Sequence, residues 1–219
     1  MNLPNSISLV RILLIPIILV LMLVNWDQSI ISGSYELPVA WLLAGIFFVI
    51  AAVSDYIDGY LARKLNQVTT FGKFFDSIAD KLLTNSVLIV MSYLEIVPIW
   101  LTLILVMRDF LIDALRQILA SKQVIMEANW YGKWKAAFQM FGLTLLFFVS
   151  YQHFNGSATG NALYDQYGVV NQVVLIPMYL TLALSLYSAG VYFYLNYHYL
   201  LSGEAKKSTK VKKTKKSKK

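Results

Sequence analysis

The sequence predicts an all-α integral membrane protein of six transmembrane helices with both termini in the cytoplasm. Three observations carry this expectation. The chain of 219 residues is 58% hydrophobic and only 14% charged. Its apolar residues fall in long runs rather than at the periods of a half-buried strand or an amphipathic helix. Among the connections between those runs, finally, Lys and Arg occur only in alternate ones.

A spanning helix needs roughly 20 apolar residues, since each adds about 1.5 Å across a hydrocarbon core of about 30 Å. Six stretches qualify, at 8–25, 38–62, 73–94, 97–118, 136–152 and 172–201. The first has a short apolar run, Ile12 to Val24, as a secretory signal would. No small-residue cleavage site follows it, only Asn25-Trp26-Asp27-Gln28, so it is expected to remain as a span behind a short juxtamembrane segment. One membrane domain, 1–204, then accounts for nearly the whole chain.

Residues 205–219 read differently. The net charge of +7 arises from nine lysines between Lys206 and Lys219, and residues 1–205 carry −2. With almost nothing apolar to bury, this tail is expected to be disordered and to touch anionic membrane lipid. No folded module suggests nucleic-acid binding. With no cysteine in the chain, disulfides, thiol catalysis and Cys-based metal sites are excluded.

Topology follows from the loops. The connections at 26–37, 95–96 and 153–171 contain no Lys or Arg. Those after spans 2 and 4 carry Arg63, Lys64 and Lys73, then Lys122, Lys133 and Lys135. The positive-inside rule places both termini and the basic loops in the cytoplasm. Trp26, Tyr35, Trp41, Tyr93, Trp100, Trp130, Tyr131 and Trp134 fall near span ends, where amphipathic rings sit. An Asn155-Gly156-Ser157 sequon lies in an external loop and is read as chance.

The ionisable residues inside the spans gather at one end. Span 2 carries Asp55 and Asp58, span 3 carries Asp76, Asp80 and Lys81, and span 4 carries Arg108, Asp109, Asp113 and Arg116, all toward the cytoplasm. Intramembrane charge costs at least a few kcal/mol and marks function by default. Asp55 and Asp58 share a helical face continued by Gly59 and Ala62, while Gly72, Asp76 and Asp80 form a second stripe. The short connection 63–72 lets the two cytoplasmic ends meet, so four carboxylates would face one another. Such a cluster requires cations or protons, and hard oxygen donors without His or Cys point to Mg²⁺ or Mn²⁺. Salt bridges to Arg63, Lys73 and Lys81 would account for one pair and leave three acids alone.

The segment reads Asp55-Tyr-Ile-Asp58-Gly59-Tyr-Leu-Ala62-Arg63, eight residues, then Gly72-Lys-Phe-Phe-Asp76-Ser-Ile-Ala-Asp80. It resembles the signature of the CDP-alcohol phosphotransferase family, D-x-x-D-G-x-x-A-R, eight residues, G-x-x-x-D-x-x-x-D, at all eight defined positions. The resemblance implies a two-metal centre held by Asp55, Asp58 and Asp76, with Asp80 at the second metal and acting as general base. It implies a CDP-lipid surface formed by Asn5, Ser8, Gly59, Ala62, Arg63, Thr69 and Gly72. A homodimer is the family expectation. The chemistry suits these residue types: two cations can bridge a diphosphate and align an in-line displacement, and a carboxylate can take the attacking hydroxyl's proton.

The remaining blocks resemble one branch, the phosphatidylglycerophosphate synthases. They are Asn2-Leu3-Pro4-Asn5-Ser6-Ile7-Ser8-Leu9-Val10-Arg11-Ile12, then Thr70 to Lys73 and Ala79 to Leu82, then Arg108-Asp109-Phe110, Leu115-Arg116, Gly132 to Lys135 and Gln139. The resemblance covers about residues 1–150 and implies CDP-diacylglycerol and glycerol 3-phosphate as substrates. Arg108 and Arg116, two turns apart on one face, and Lys133 and Lys135 nearby would bind the acceptor phosphate. Alternatively Arg108 pairs with Asp109 or Asp113, and the lysines only mark the cytoplasmic side. Three positions depart from the branch: Ser77 replaces a common proline, Asp109 replaces a glutamate, and Asp113 stands where a neutral residue is usual and has no assigned role. Inositol phosphate or phosphatidylglycerol as acceptor are the competing readings within the family; the basic pocket argues against serine. A cation transporter would place such acids at the bilayer midplane between repeats, which the sequence lacks.

Overall fold

A computed structural model describes residues 3–24, 28–32, 35–64, 70–121, 130–150, 153 and 169–201. Among the described residues there are six helices and one hairpin: α1 (Leu3–Leu23), β1 (Ser29–Ser32), β2 (Tyr35–Pro38), α2 (Val39–Lys64), α3 (Thr70–Tyr93), α4 (Ile99–Ser121), α5 (Trp130–Phe148) and α6 (Val169–Leu201). Each helix takes up most of one expected apolar stretch. Several run past it, because backbone hydrogen bonding does not stop where hydrophobicity does. The largest shift is in α5, which starts at Trp130 rather than 136 and so carries Gly132 and Lys135 within the helix.

The all-α expectation needs one correction. Ser29–Ser32 and Tyr35–Pro38 pair as antiparallel strands, with Ile30 opposite Leu37 and Ile31 opposite Glu36. The β-branched pair Ile30-Ile31 favours extended backbone, and four paired residues per strand satisfy amide groups that a bare loop would leave to water. Ser29 Oγ donates to Glu36 Oε1 at 2.6 Å.

The turn between α3 and α4 is equally tight. Glu95 N donates to Ser92 O and Ile96 N donates to Met91 O, the paired bonds of a Schellman cap. The residue at its left-handed position is Glu95, with φ 61°. Ile96 and Val97 are buried beyond it, which seats the turn on the core.

The helices close into a ring. α1 packs against both α2 and α3, α2 against α5, α5 against α6, α6 against α4, and α4 returns to α3, which also touches α5. Phe48, Leu83, Leu88, Met91, Leu101, Leu143 and Phe147 are fully buried within it. Two glycines permit the closest approaches. A Cβ on Gly45 would lie 2.9 Å from Phe148 Cζ and 3.1 Å from Phe147 Cβ, and one on Gly142 would lie 2.8 Å from Met178 Sδ. Small residues at such crossings are how helices gain dispersion contacts where water supplies no driving force.

The outward surface is apolar too. Leu13 on α1 is 60% exposed, Phe110 on α4 68% and Leu195 on α6 65%, with Ile17, Val20, Met107 and Leu111 similarly turned out. Gln172–Tyr197 is long and apolar enough to cross a membrane, and Leu9–Leu23, Val39–Ser54 and Trp134–Phe148 are shorter apolar stretches. α3 and α4 fall outside this group because charged residues interrupt them.

At the end of the bundle away from the motif, the hairpin and His153 complete the C-terminus of α5. Tyr35 donates its hydroxyl to Phe148 O at 2.6 Å. The His153 ring bonds the carbonyl of Phe147, so two of the carbonyls left open at a helix C-terminus are satisfied. His153 is 2% exposed and packs edge-on against Tyr35 and Trp41 at 6.1 and 5.6 Å. Its Nε2 has no partner among the described residues, so Nδ1 carries the donated proton. Burial pushes the His153 pKa below its ordinary 6.5, with the Phe147 bond opposing more weakly.

Because the folded value is depressed, the unfolded chain takes up this proton first as pH falls. The contribution of neutral His153 is complete above pH 6.5 and is lost on going down toward the folded value. Thermal unfolding in detergent at pH 7.5 and 5.5 should therefore show a larger loss of stability for the wild type than for His153→Gln, which keeps an N–H for Phe147. Equal losses would show that His153 does not sense this range.

Candidate active site

The polar residues of four helices line one cavity of about 340 Å³. From α3 come Asp80, Lys81 and Thr84, and Thr84 continues the four-residue stripe of Gly72, Asp76 and Asp80. From α4 come Arg108, Asp109, Ile112, Asp113 and Arg116, at the three- and four-residue spacing of one helical face. α5 supplies Gly132, Lys135, Ala136, Gln139 and Met140, and α6 supplies Tyr192.

Asp109 organises the centre. It is 7% exposed, and Lys135 Nζ donates to both of its carboxylate oxygens at 2.7 Å. Arg108 Nη1 donates to Asp109 Oδ1 at 3.0 Å, while Arg108 Nε bonds the carbonyl of Ser185 on α6 at 3.0 Å. One buried acid on α4 thus ties down cations from α4 and α5, and through Arg108 reaches α6. The pairing of Arg108 with Asp109, one of the two sequence alternatives, is the one the structure adopts. Both cations nonetheless remain on the cavity wall.

Asp113, without a role in the sequence, is bonded to Lys81 across the α3–α4 contact. Lys81 is therefore paired with α4. Thr84 Oγ1 bonds the carbonyl of Asp80 at 3.0 Å, and Asp80 is half-buried at the wall. Arg116 is exposed and has no ion-pair partner among the described residues.

Of the residues expected from the sequence, the structure brings Asp80, Arg108, Arg116 and Lys135 together around one space. Asp55, Asp58, Gly59, Ala62 and Arg63 lie on the α2 backbone, and Gly72 and Asp76 on that of α3, but their side chains lie outside the described residues. The same holds for Asn5 and Ser8 on α1, for Lys133 on α5 and for the whole of Thr69. Sequence reasoning gave no site role to Lys81, Asp109, Gln139 or Tyr192. Gln139 carried a signal, as a lone amide in an apolar helix. Tyr192 carried none, being one aromatic among many. Arg11, 1% exposed on α1, was likewise legible as the single basic residue of an apolar run.

The model of the CDP-alcohol phosphatidyltransferase family matches residues 1–197. The chain is 42% identical over 146 residues to the CDP-diacylglycerol–glycerol-3-phosphate 3-phosphatidyltransferase of Bacillus subtilis, covering 66% of this chain and 76% of that protein. It is 34% identical to the protein of the same name from Mycoplasma pneumoniae, over 87% of this chain and 86% of the other. For that of Mycoplasma genitalium the identity is 36%, over 78% and 70%.

Removing one member of a buried ion pair strands the other charge, at a cost of about 3–5 kcal/mol. Asp109→Asn should lower unfolding stability on this scale, and Asp109→Glu should restore most of it by keeping a carboxylate between Arg108 and Lys135. Asp113→Asn, at a half-exposed pair, should cost about 1 kcal/mol or less. Denaturant or thermal titration of the three variants in detergent checks the order.

Proposed function

The chain belongs to the CDP-alcohol phosphatidyltransferase family, and from that premise we propose that it transfers the phosphatidyl group of CDP-diacylglycerol to glycerol 3-phosphate, releasing CMP. The name shared by its relatives supports the reaction. The cavity carries the choice of acceptor. Lys81, Arg108, Arg116 and Lys135 on its wall are balanced by Asp109 and Asp113, so with Asp80 engaged at a metal two positive charges remain. A phosphate dianion is their complement, and Arg supplies the forked donors and Lys the point charge that phosphate recognition uses.

The family generally uses divalent metals. Asp55, Asp58, Asp76 and Asp80 would hold two such cations, Mg²⁺ or Mn²⁺, which when bound neutralise the diphosphate and the charge developing on CMP. The helix lengths support this donor set. Asp58 lies six residues before the end of α2 and Asp76 six residues after the start of α3, so both sit about 9 Å from the joined ends. Asp55 and Asp80 match in the same way about 14 Å in. Gly59, Ala62, Arg63, Thr69 and Gly72, with Asn5 and Ser8, would form the CDP-lipid surface.

The chain's own residues then have distinct tasks. Arg108 and Lys135, braced by Asp109, and Arg116 with Lys133 hold the acceptor phosphate, leaving the primary hydroxyl toward Asp80. The hydroxyl proton passes to the Asp80 carboxylate as its oxygen bonds the phosphatidyl phosphorus and the bond to CMP breaks. Asp80 and Lys135 line the same cavity, which would set the base beside the bound acceptor.

All six helices are read as spans, N-in and C-in in the cytoplasmic membrane, with the site opening at the cytoplasmic face. The apolar outer surfaces of α1, α4 and α6 and the absence of Lys and Arg from the connections at 26–37, 95–96 and 153–171 support this. Residues 1–204 form the catalytic domain, the 205–219 tail meets anionic lipid, and the enzyme works as a homodimer.

Purified protein given CDP-diacylglycerol with glycerol 3-phosphate, inositol phosphate, serine or phosphatidylglycerol should release CMP with the first. No release there would overturn the acceptor reading. Asp80→Asn should reduce turnover by at least about 100-fold, the scale of a lost general base, while CDP-lipid binding persists. Normal turnover would remove Asp80 from that role.

A further inference from the structure

We infer that Gln139 reads the secondary hydroxyl of the acceptor, making it the residue that selects a glycerol phosphate over a phosphorylated alcohol lacking that group. The inference rests on the acceptor reading above. Gln139 is 2% exposed, lines the cavity, and its Nε2 has no hydrogen-bond partner among the described residues. Buried amides are normally paired, and an unpaired one on a residue that lines a cavity marks a place for a ligand or a water.

Its position on α5 says which part of the ligand it meets. Gln139 follows Lys135 by four residues, one turn along the same face and about 6 Å deeper. Lys135 belongs to the phosphate end. The α5 residues beside Gln139 on this wall, Ala136 and Met140, offer no polar side-chain group. Thr84, the neutral hydroxyl that α3 contributes, is already bonded to the Asp80 carbonyl. Glycerol 3-phosphate carries its phosphate on one terminal carbon and its attacking hydroxyl on the other. The hydroxyl between them takes no part in bond making, yet it must be desolvated when the acceptor enters. A carboxamide can both donate to and accept from it. A ligand without that hydroxyl leaves the amide buried and unpaired, and sites built this way reject such ligands strongly.

The test compares two acceptors, glycerol 3-phosphate and 3-hydroxypropyl phosphate, which differ by that one hydroxyl. With CDP-diacylglycerol as donor, wild-type kcat/KM should favour glycerol 3-phosphate by at least about 100-fold. In Gln139→Leu, and in the near-isosteric Gln139→Met should the first fold poorly, that ratio should fall at least tenfold. A purely structural role would depress both acceptors together and leave the ratio unchanged, which would overturn the inference. A wild type that uses both acceptors equally well would overturn it without any variant. A wild type that uses neither would instead overturn the acceptor reading beneath it.

Discussion

Asp109 is the carboxylate on which the polar half of the bundle depends. Taking a charge out of water costs several kcal/mol, and the cost is recovered only where geometry is good and the remaining lone pairs are used. Here both oxygens accept from Lys135 and one also accepts from Arg108. Three helices are joined by this group and its partners, because Arg108 spends its Nε on an α6 carbonyl. The same bonds that fix α4, α5 and α6 also point two cations at the cavity. Structural cohesion and the phosphate recognition proposed for this wall would therefore rest on one set of contacts.

The opposite end of the bundle is held by different physics. Trp41 and Phe48 of α2 pack tilted against Phe147 at ring distances of 5.7 and 5.3 Å, and Gly45 lets α2 approach Phe147 and Phe148 of α5 closely. Tyr35 and His153 close the C-terminus of α5. A well-packed apolar end suits a bundle whose other end must stay polar and open to ligands, since charged walls bring little packing energy of their own. The Lys81–Asp113 pair extends the polar end to α3, next to the carboxylate expected to take the proton.

The segment from Asp55 to Asp80 was legible because it is local. Two helices joined by a short connection put residues at matching depth whatever else surrounds them, so spacing alone leads one to expect four carboxylates at one end. The helices were legible for a similar reason, as long apolar runs leave few alternatives to a helix. The hairpin was not, because its eight residues between spans look like any polar loop until they pair. Gln139 could be noticed as out of place, but its unpaired amide is a property of what surrounds it.

The sequence by itself determined the family, the helical plan and the acid motif, since each is written within a turn or a hairpin of its neighbours. Only the tertiary structure decided how the charges are shared. Asp109 and Lys135 are 26 residues apart, Lys81 and Asp113 are 32, and Arg108 and Ser185 are 77. Helical periodicity says which face a residue occupies but not which helix that face meets. For that reason Asp113 had no assignable partner until α3 and α4 were packed, and the arginine expected to bind phosphate proved also to be a strut of the bundle.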